Sequence, residues 1–185
     1  MYLSKTVPGS LMAEHQLILR MIADLRLETE RIGGGGEVDP AYIDVAVDFL
    51  RSYADRCHHG KEEDILFRDL GQRALDPDDA RAMQELVDDH IWARGTTRKL
   101  VAANARHAEG DMAARDEVVK GLADLAGFYP VHIEKEDHGF FRAAMEYLSP
   151  EERTAMAEEF SAFDRALIHE RYLRIVDEVT ASRIG

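Results

Sequence analysis

The chain has one cysteine, Cys57, in 185 residues. It therefore forms no internal disulfide and no cysteine-rich zinc site. A lone thiol beside a histidine, here His58, is more often a small buried residue than a nucleophile. Positive charge is scarce as well: 23 Lys and Arg stand against 36 Asp and Glu, a formal net charge of −13. That balance argues against a nucleic-acid or anionic-membrane surface, where basic residues cluster. No stretch approaches the roughly 20 apolar residues of a transmembrane helix. The first ten residues lack the apolar run of a secretory leader. No strand-period segment and no domain linker is visible. These absences predict one cytoplasmic domain spanning residues 1–185, of an acidity that suits cation binding.

What is present reads as helix. Ser10 is positioned to cap a first helix to about Ile32, with Leu11, Ile18, Ile22 and Leu25 at helical spacing. Gly33 to Gly36 read as a flexible connection. Asp39-Pro40 starts a second helix, with Val47, Leu50, Ala54, His58, Glu62 and Leu66 on one stripe. Asp76-Pro77 starts a third, ending near His107, with the stripe Met83, Leu86, Val87, His90 and Val101. Gly110-Asp111 opens a fourth, running to about Tyr147, with the stripe Val118, Leu122, Leu125, His132, Glu136 and Phe140. Pro130 lies inside it and is expected to kink it or remove a hydrogen bond. Ser149-Pro150 starts a fifth, with Met156, Phe160, Phe163 and Leu167 expected to face inward. The fold class is all-α. Four long helices with short connections predict an antiparallel up-down-up-down four-helix bundle over about residues 10–147. The fifth helix, about 150–182, packs on that bundle or offers a surface for a protein partner or self-association.

Two segments of the chain superpose without a gap: HHGKEEDILF from His58 and HIEKEDHGFF from His132. The match pairs His58 with His132, Lys61 with Lys135, Glu62 with Glu136, Glu63 with Asp137 and Phe67 with Phe141. Each copy is a His-x-x-x-Glu followed by a second acid and an aromatic. On a helix, residues i and i+4 share a face, so each imidazole and carboxylate can reach one cation or two adjacent ones.

Counting from the turns brings in two more histidines. In an antiparallel pair, residues equally far from the connecting turn sit at one height, at about 1.5 Å per residue. His15 lies 18 residues before Gly33, and His58 lies 22 after Gly36. His58 lies 18 before Asp76, and His90 lies 14 after it. His90 lies 20 before Gly110, and His132 lies 22 after it. Every mismatch is within about one helical turn. A single histidine on an apolar stripe is usually a hydrogen-bonded core residue. Four at one height, beside two inward carboxylates, call for cations, because buried ionised carboxylates are costly without them.

This combination resembles the hemerythrin-like family, the hemerythrin HHE cation-binding domain. The resemblance covers about residues 10–147 and rests on Glu14-His15, the two His-x-x-x-Glu copies with their tails, and the isolated His90. It implies a four-helix bundle holding two iron ions bridged by two carboxylates and an oxo or hydroxo group. By position it implies His15, His58, His90 and His132 as terminal ligands and Glu62 and Glu136 as bridges. Oxygen-carrying members place a second histidine four residues after the third-helix ligand; here Arg94 stands there, and a guanidinium has no free lone pair. His59 is either an extra ligand, as in some hemerythrin-like domains, or a residue outside the coordination sphere. Successive α-helical side chains diverge by about 100°, so His58 and His59 are not expected to aim inward together.

The remaining candidates read more plainly. His107, His138 and His169 fall outside the layer. Tyr53 and Tyr129 either line a pocket or pack in the core. Glu63 and Asp89 either hold imidazole N–H groups or face solvent, and Asp137 is a weaker alternative to Glu136 as a bridge. The expected function is a non-haem di-iron protein that binds or reacts with O2, peroxide or nitric oxide. The alternative is an iron- or oxygen-sensing or iron-storing module without turnover. A site holding zinc or manganese fits the same ligand types. A ferritin-like enzyme does not fit, since no histidine has a glutamate three residues before it.

Overall fold

The computed structural model describes residues 6–164 and 166–184; in the last stretch the described side chains are those of 171–182. Leu167 and His169, named above, lie outside the described residues. Six helical rods account for most of the chain, and no strand occurs among the described residues. The first, α1, is Val7–Gly33. It starts earlier than Ser10: the Thr6 side chain accepts from the Gly9 N–H, and proline occupies the first turn, where its missing N–H is no loss.

The second rod, α2, begins as Pro40–Phe49 behind the Asp39 cap and continues to Leu70. Two of its segments, Leu50–His59 and Glu62–Phe67, are π-helical. The rod α3 is Pro77–Ala108, capped by Asp76. The rod α4 opens at Ala114, three residues beyond Asp111, which holds the intervening turn. It runs through Ala114–Lys135, the π-helical Glu136–Phe140 and Phe141–Glu146. Pro130 does not end it. The Ala126 carbonyl, which a proline four residues on cannot reach, accepts instead from Arg26 Nη2 at 3.4 Å.

The expected fifth helix is two, α5 (Pro150–Phe163) and α6 (Ala166–Ile184). The chain breaks at Asp164, whose backbone is extended (φ −71°, ψ 101°). Its carboxylate is drawn inward to Lys61 and accepts from the Cys57 thiol at 3.4 Å. Phe163 therefore does not enter the core; it is 37% exposed and lies over Gly60, where a Cβ would meet its ring at 3.0 Å. The four-glycine connection is a close turn rather than a loose one. Gly35 takes φ +99°, and a Cβ on Gly36 would sit 2.7 Å from the Arg31 carbonyl.

The rods pack as α1 on α4, α4 on α3 and α3 on α2, while α5 and α6 cover α1 and α2. The C-terminal helices thus use their apolar faces on the rest of the chain, with Met156, Phe160, Tyr172 and Val176 buried. Two apolar clusters result. One gathers Ile18, Ile22, Leu50, Leu122 and Tyr172; the other gathers Leu11, Leu66, Leu86, Phe141 and Phe160. On each of α1 to α4 the predicted site residues fall between them. The third-helix stripe is narrower than expected: Leu86 and His90 are buried, but Val101 is 36% exposed. No helix among the described residues is long and apolar enough to cross a membrane.

The α3–α4 seam depends on Gly121, whose added Cβ would sit 3.2 Å from Leu100 Cβ. Gly121→Val is expected to lower stability by about 1–3 kcal/mol through overpacking, read as a lower urea midpoint with an unchanged slope.

Candidate metal centre

His15, His58, His59, Glu62, His90, His132 and Glu136 are all buried, and the structure brings them together in two adjoining groups. One is His15, His58, Glu62 and Glu136; the other is His59, His90 and His132; within each group the potential ligand atoms lie within 4.8 Å of one another. Both His58 and His59 turn inward, against the expectation for an α-helix. The cause is the π-helical turn that carries them. Its i→i+5 hydrogen bonds put more residues in each turn, so successive side chains diverge less.

A second set of residues fixes the imidazoles. His15 Nδ1 lies 2.8 Å from Asp137 Oδ1, and His58 Nδ1 lies 2.8 Å from Glu14 Oε2. His90 Nδ1 lies 2.7 Å from Glu63 Oε1, and His132 Nδ1 lies 3.2 Å from Asp89 Oδ2. An ionised carboxylate only accepts hydrogen bonds, so each Nδ1 is the donor. The Nε2 lone pairs are then left facing inward. Every element of the sequence repeat has a place in this scheme. Glu63 and Phe67 of the first copy hold and stack on His90, at a ring separation of 6.1 Å. Asp137 and Phe141 of the second do the same to His15, at 5.8 Å. Lys61 donates to Glu14, and Lys135 to Asp89.

The two carboxylates stand between the groups. Glu62 turns Oε1 toward His58 Nε2 (3.6 Å) and Oε2 toward His90 Nε2 (3.4 Å). Glu136 turns Oε2 toward His15 Nε2 (3.3 Å) and Oε1 toward His132 Nε2 (3.2 Å). None of these four oxygens accepts a hydrogen bond, and neither His90 Nε2 nor His132 Nε2 has a hydrogen-bond partner. Buried polar atoms without partners are rare, and these converge. His15 Nε2 and His58 Nε2 face each other at 2.8 Å, where two lone pairs would repel. A cation removes the conflict for all of them, so the residues fit a metal.

Protons relieve part of the same conflict when no cation is bound. Burial lowers His15, but Asp137 and Glu136 outweigh it and raise its pKa to about 10. Burial, with the His15 charge, pushes His58 down to about 4. Burial and then the Glu136 charge push Glu62 well up. Burial would raise Glu136 too, but His132, His15 and His90 hold it well below the usual range.

Arg94 fills the third-helix position where a carrier has a histidine. Its Nε donates to Asp55 Oδ1 at 2.7 Å, and its Nη1 and Nη2 sit 3.2 and 2.9 Å from the two Glu63 oxygens. The ring of His59 stacks on that of His90 at 3.8 Å, on the same side of the site. Of the other candidates, Tyr129 lines a cavity beside His59, whereas Tyr53 packs between Phe49 and Tyr172. His138 is exposed and pairs with Glu134. Cys57 is buried, and burial pushes its thiol up to about 12, so it is no nucleophile.

The sequence reading missed Lys61 and Asp164, and it gave Glu14 no role beyond its place beside His15. The Lys61 ammonium is fully buried and bonds both Glu14 and Asp164. The signal for Lys61 was present in its alignment with Lys135; Asp164 had none.

Two outcomes follow. Lys61→Ala removes the ammonium that bonds buried Glu14 and half-buried Asp164 and should cost about 3 kcal/mol, measured by urea unfolding. His15, raised to about 10, carries a proton at pH 7 that a cation must displace. Zinc added to the metal-free protein in weak buffer should therefore release protons, and its affinity should rise with pH. A titration that releases none contradicts this.

A family model for the hemerythrin HHE cation binding domain matches residues 8–144. No curated protein and no solved structure gives a match. The matched span contains both residue groups and the carboxylates between them, and the chain belongs to the hemerythrin HHE cation-binding family, a metal-binding one.

Proposed function

We propose that this chain is an antiparallel four-helix bundle holding two iron ions, and that it binds or reacts with O2, peroxide or nitric oxide in a reducing cytoplasm. The observation that carries the reading is the placing of Glu62 and Glu136, each with one oxygen toward each group. Two carboxylates so placed suit a pair of cations better than one. Histidine and carboxylate donors suit iron; when bound, it supplies redox chemistry and an open position for a small ligand. The protein's own part is to orient and to exclude water. Asp137, Glu14, Glu63 and Asp89 fix the imidazole tautomers. Phe67 and Phe141 close the end of the site away from the larger apolar cluster. His59 supplies the third imidazole of its group in place of the histidine that Arg94 displaces.

A second reading, a sensing module without turnover, is favoured by one observation. His58 is tied through Glu14 and Lys61 to Asp164, the hinge between α5 and α6. Occupancy of the site therefore bears on how those helices are held, and a protein partner or a second copy of the chain at that surface would read it.

Anaerobic purification, iron analysis and visible spectra before and after O2, peroxide or nitric oxide test the first reading. About two irons per chain and a band that changes on exposure are expected. Peroxide turnover supports an enzyme; a spectral change without turnover supports sensing. Stoichiometric zinc or manganese in a colourless, unreactive protein overturns the iron reading. Glu62→Ala should lose at least one metal per chain, and full retention would refute its bridging role.

A further inference from the structure

We propose that the chain carries a binding site for a small oxoanion in the cavity between α2 and α3 that ends on His59. The site goes beyond the metal reading, because the groups that recognise the anion are arginines rather than metal ligands.

The cavity holds about 270 Å3, and its wall includes Arg51, Asp55, His59, Arg94, Arg98 and Tyr129. Asp55 and Glu63 offset Arg94, and Arg51 and Arg98 leave the cavity cationic, on a chain whose net charge is −13. Arg51 and Arg98 are exposed at its mouth and form no ion pair among the described residues. Arg94 is held deeper. Asp55 and Glu63 accept from its Nε and Nη1 and face its Nη2 at 2.9 Å, and a guanidinium has five N–H groups. At least two N–H donors therefore remain on a group that two carboxylates hold in place. At the inner end the cavity stops at His59, which is 1% exposed, has Nδ1 3.4 Å from Asp55 Oδ1 and belongs to the second group of imidazoles. Tyr129 stacks on it at 6.3 Å.

This arrangement selects by charge. A neutral diatomic gains nothing from guanidinium groups, whereas an oxoanion gains charge-assisted hydrogen bonds from Arg94 and attraction from Arg51 and Arg98. The cavity reaches the second group of imidazoles at His59 alone, and its wall includes no residue of α5 or α6. An anion bound there sits beside the second group of imidazoles and has its own way in.

Nitrite titrated into the 15N-labelled protein as purified tests the site. Saturable amide shifts are expected at Thr97, Arg98 and Tyr129. The affinity should fall as salt is added. It should also fall about fivefold or more in Arg51→Ala/Arg98→Ala, two exposed charges whose removal leaves the fold in place. Arg26→Ala, which lies elsewhere, should bind as the parent does. The absence of saturable shifts at those amides overturns the proposal, and so does equal affinity in the double variant. Loss of nitrite binding with unchanged iron content and O2 response supports it and leaves the metal reading untouched.

Discussion

A buried imidazole that donates Nδ1–H to a carboxylate has one lone pair left, on Nε2, and no freedom to turn it elsewhere. Four histidines of this chain are held that way, by Asp137, Glu14, Glu63 and Asp89. The remaining features of the site follow from it. The lone pairs converge, Glu62 and Glu136 lie among them without donors, and the centre is electron-rich on every side. Such a centre is stable only with cations or protons in it. Without cations, burial is outweighed by neighbouring carboxylates at His15 and reinforced by Glu136 at Glu62, which favours the protonated forms of both.

The polar layer survives inside a helical protein because apolar packing closes it at both ends. The cluster around Ile22, Leu50 and Leu122 lies on one side and that around Leu66, Phe141 and Phe160 on the other. Each helix pays for its buried charges with apolar residues on either side of them. The orienting acids come from different helices than the histidines they hold, so a shift of one rod along another would disconnect several pairs at once. Packing and chemistry therefore constrain the same register.

Much of this was legible in the chain itself. The apolar stripes of α1, α2 and α4 and the Asp-Pro starts gave the rods, because periodicity and capping are local properties. Turn-counting brought His15, His58, His90 and His132 to one height because helical rise is constant. Three things escaped. The start of α1 was misplaced, since Thr6 caps as well as Ser10 would and Pro8 belongs in a first turn. The break at Asp164 carries no glycine or proline; its carboxylate meets Lys61 and Cys57, which are distant in the sequence. The π-helical turns of α2 also have no local signature, and without them His59 cannot be placed. Glu63 and Asp89 stayed open between holding an imidazole and facing solvent, because the choice depends on which helix is the neighbour.

Lys61 and Lys135 occupy matching places in the two copies, and each bonds the acid that orients its copy's histidine. One lies in the dry interior under α5, and the other is 42% exposed. The chain thus repeats a single half-site twice and shields the copies unequally. His132 and Glu136 of the second copy are as buried as His58 and Glu62 of the first, so the difference is confined to the lysine–carboxylate pairs behind them. Dissolved salt therefore screens the Lys135–Asp89 pair and leaves the Lys61–Glu14 pair almost untouched.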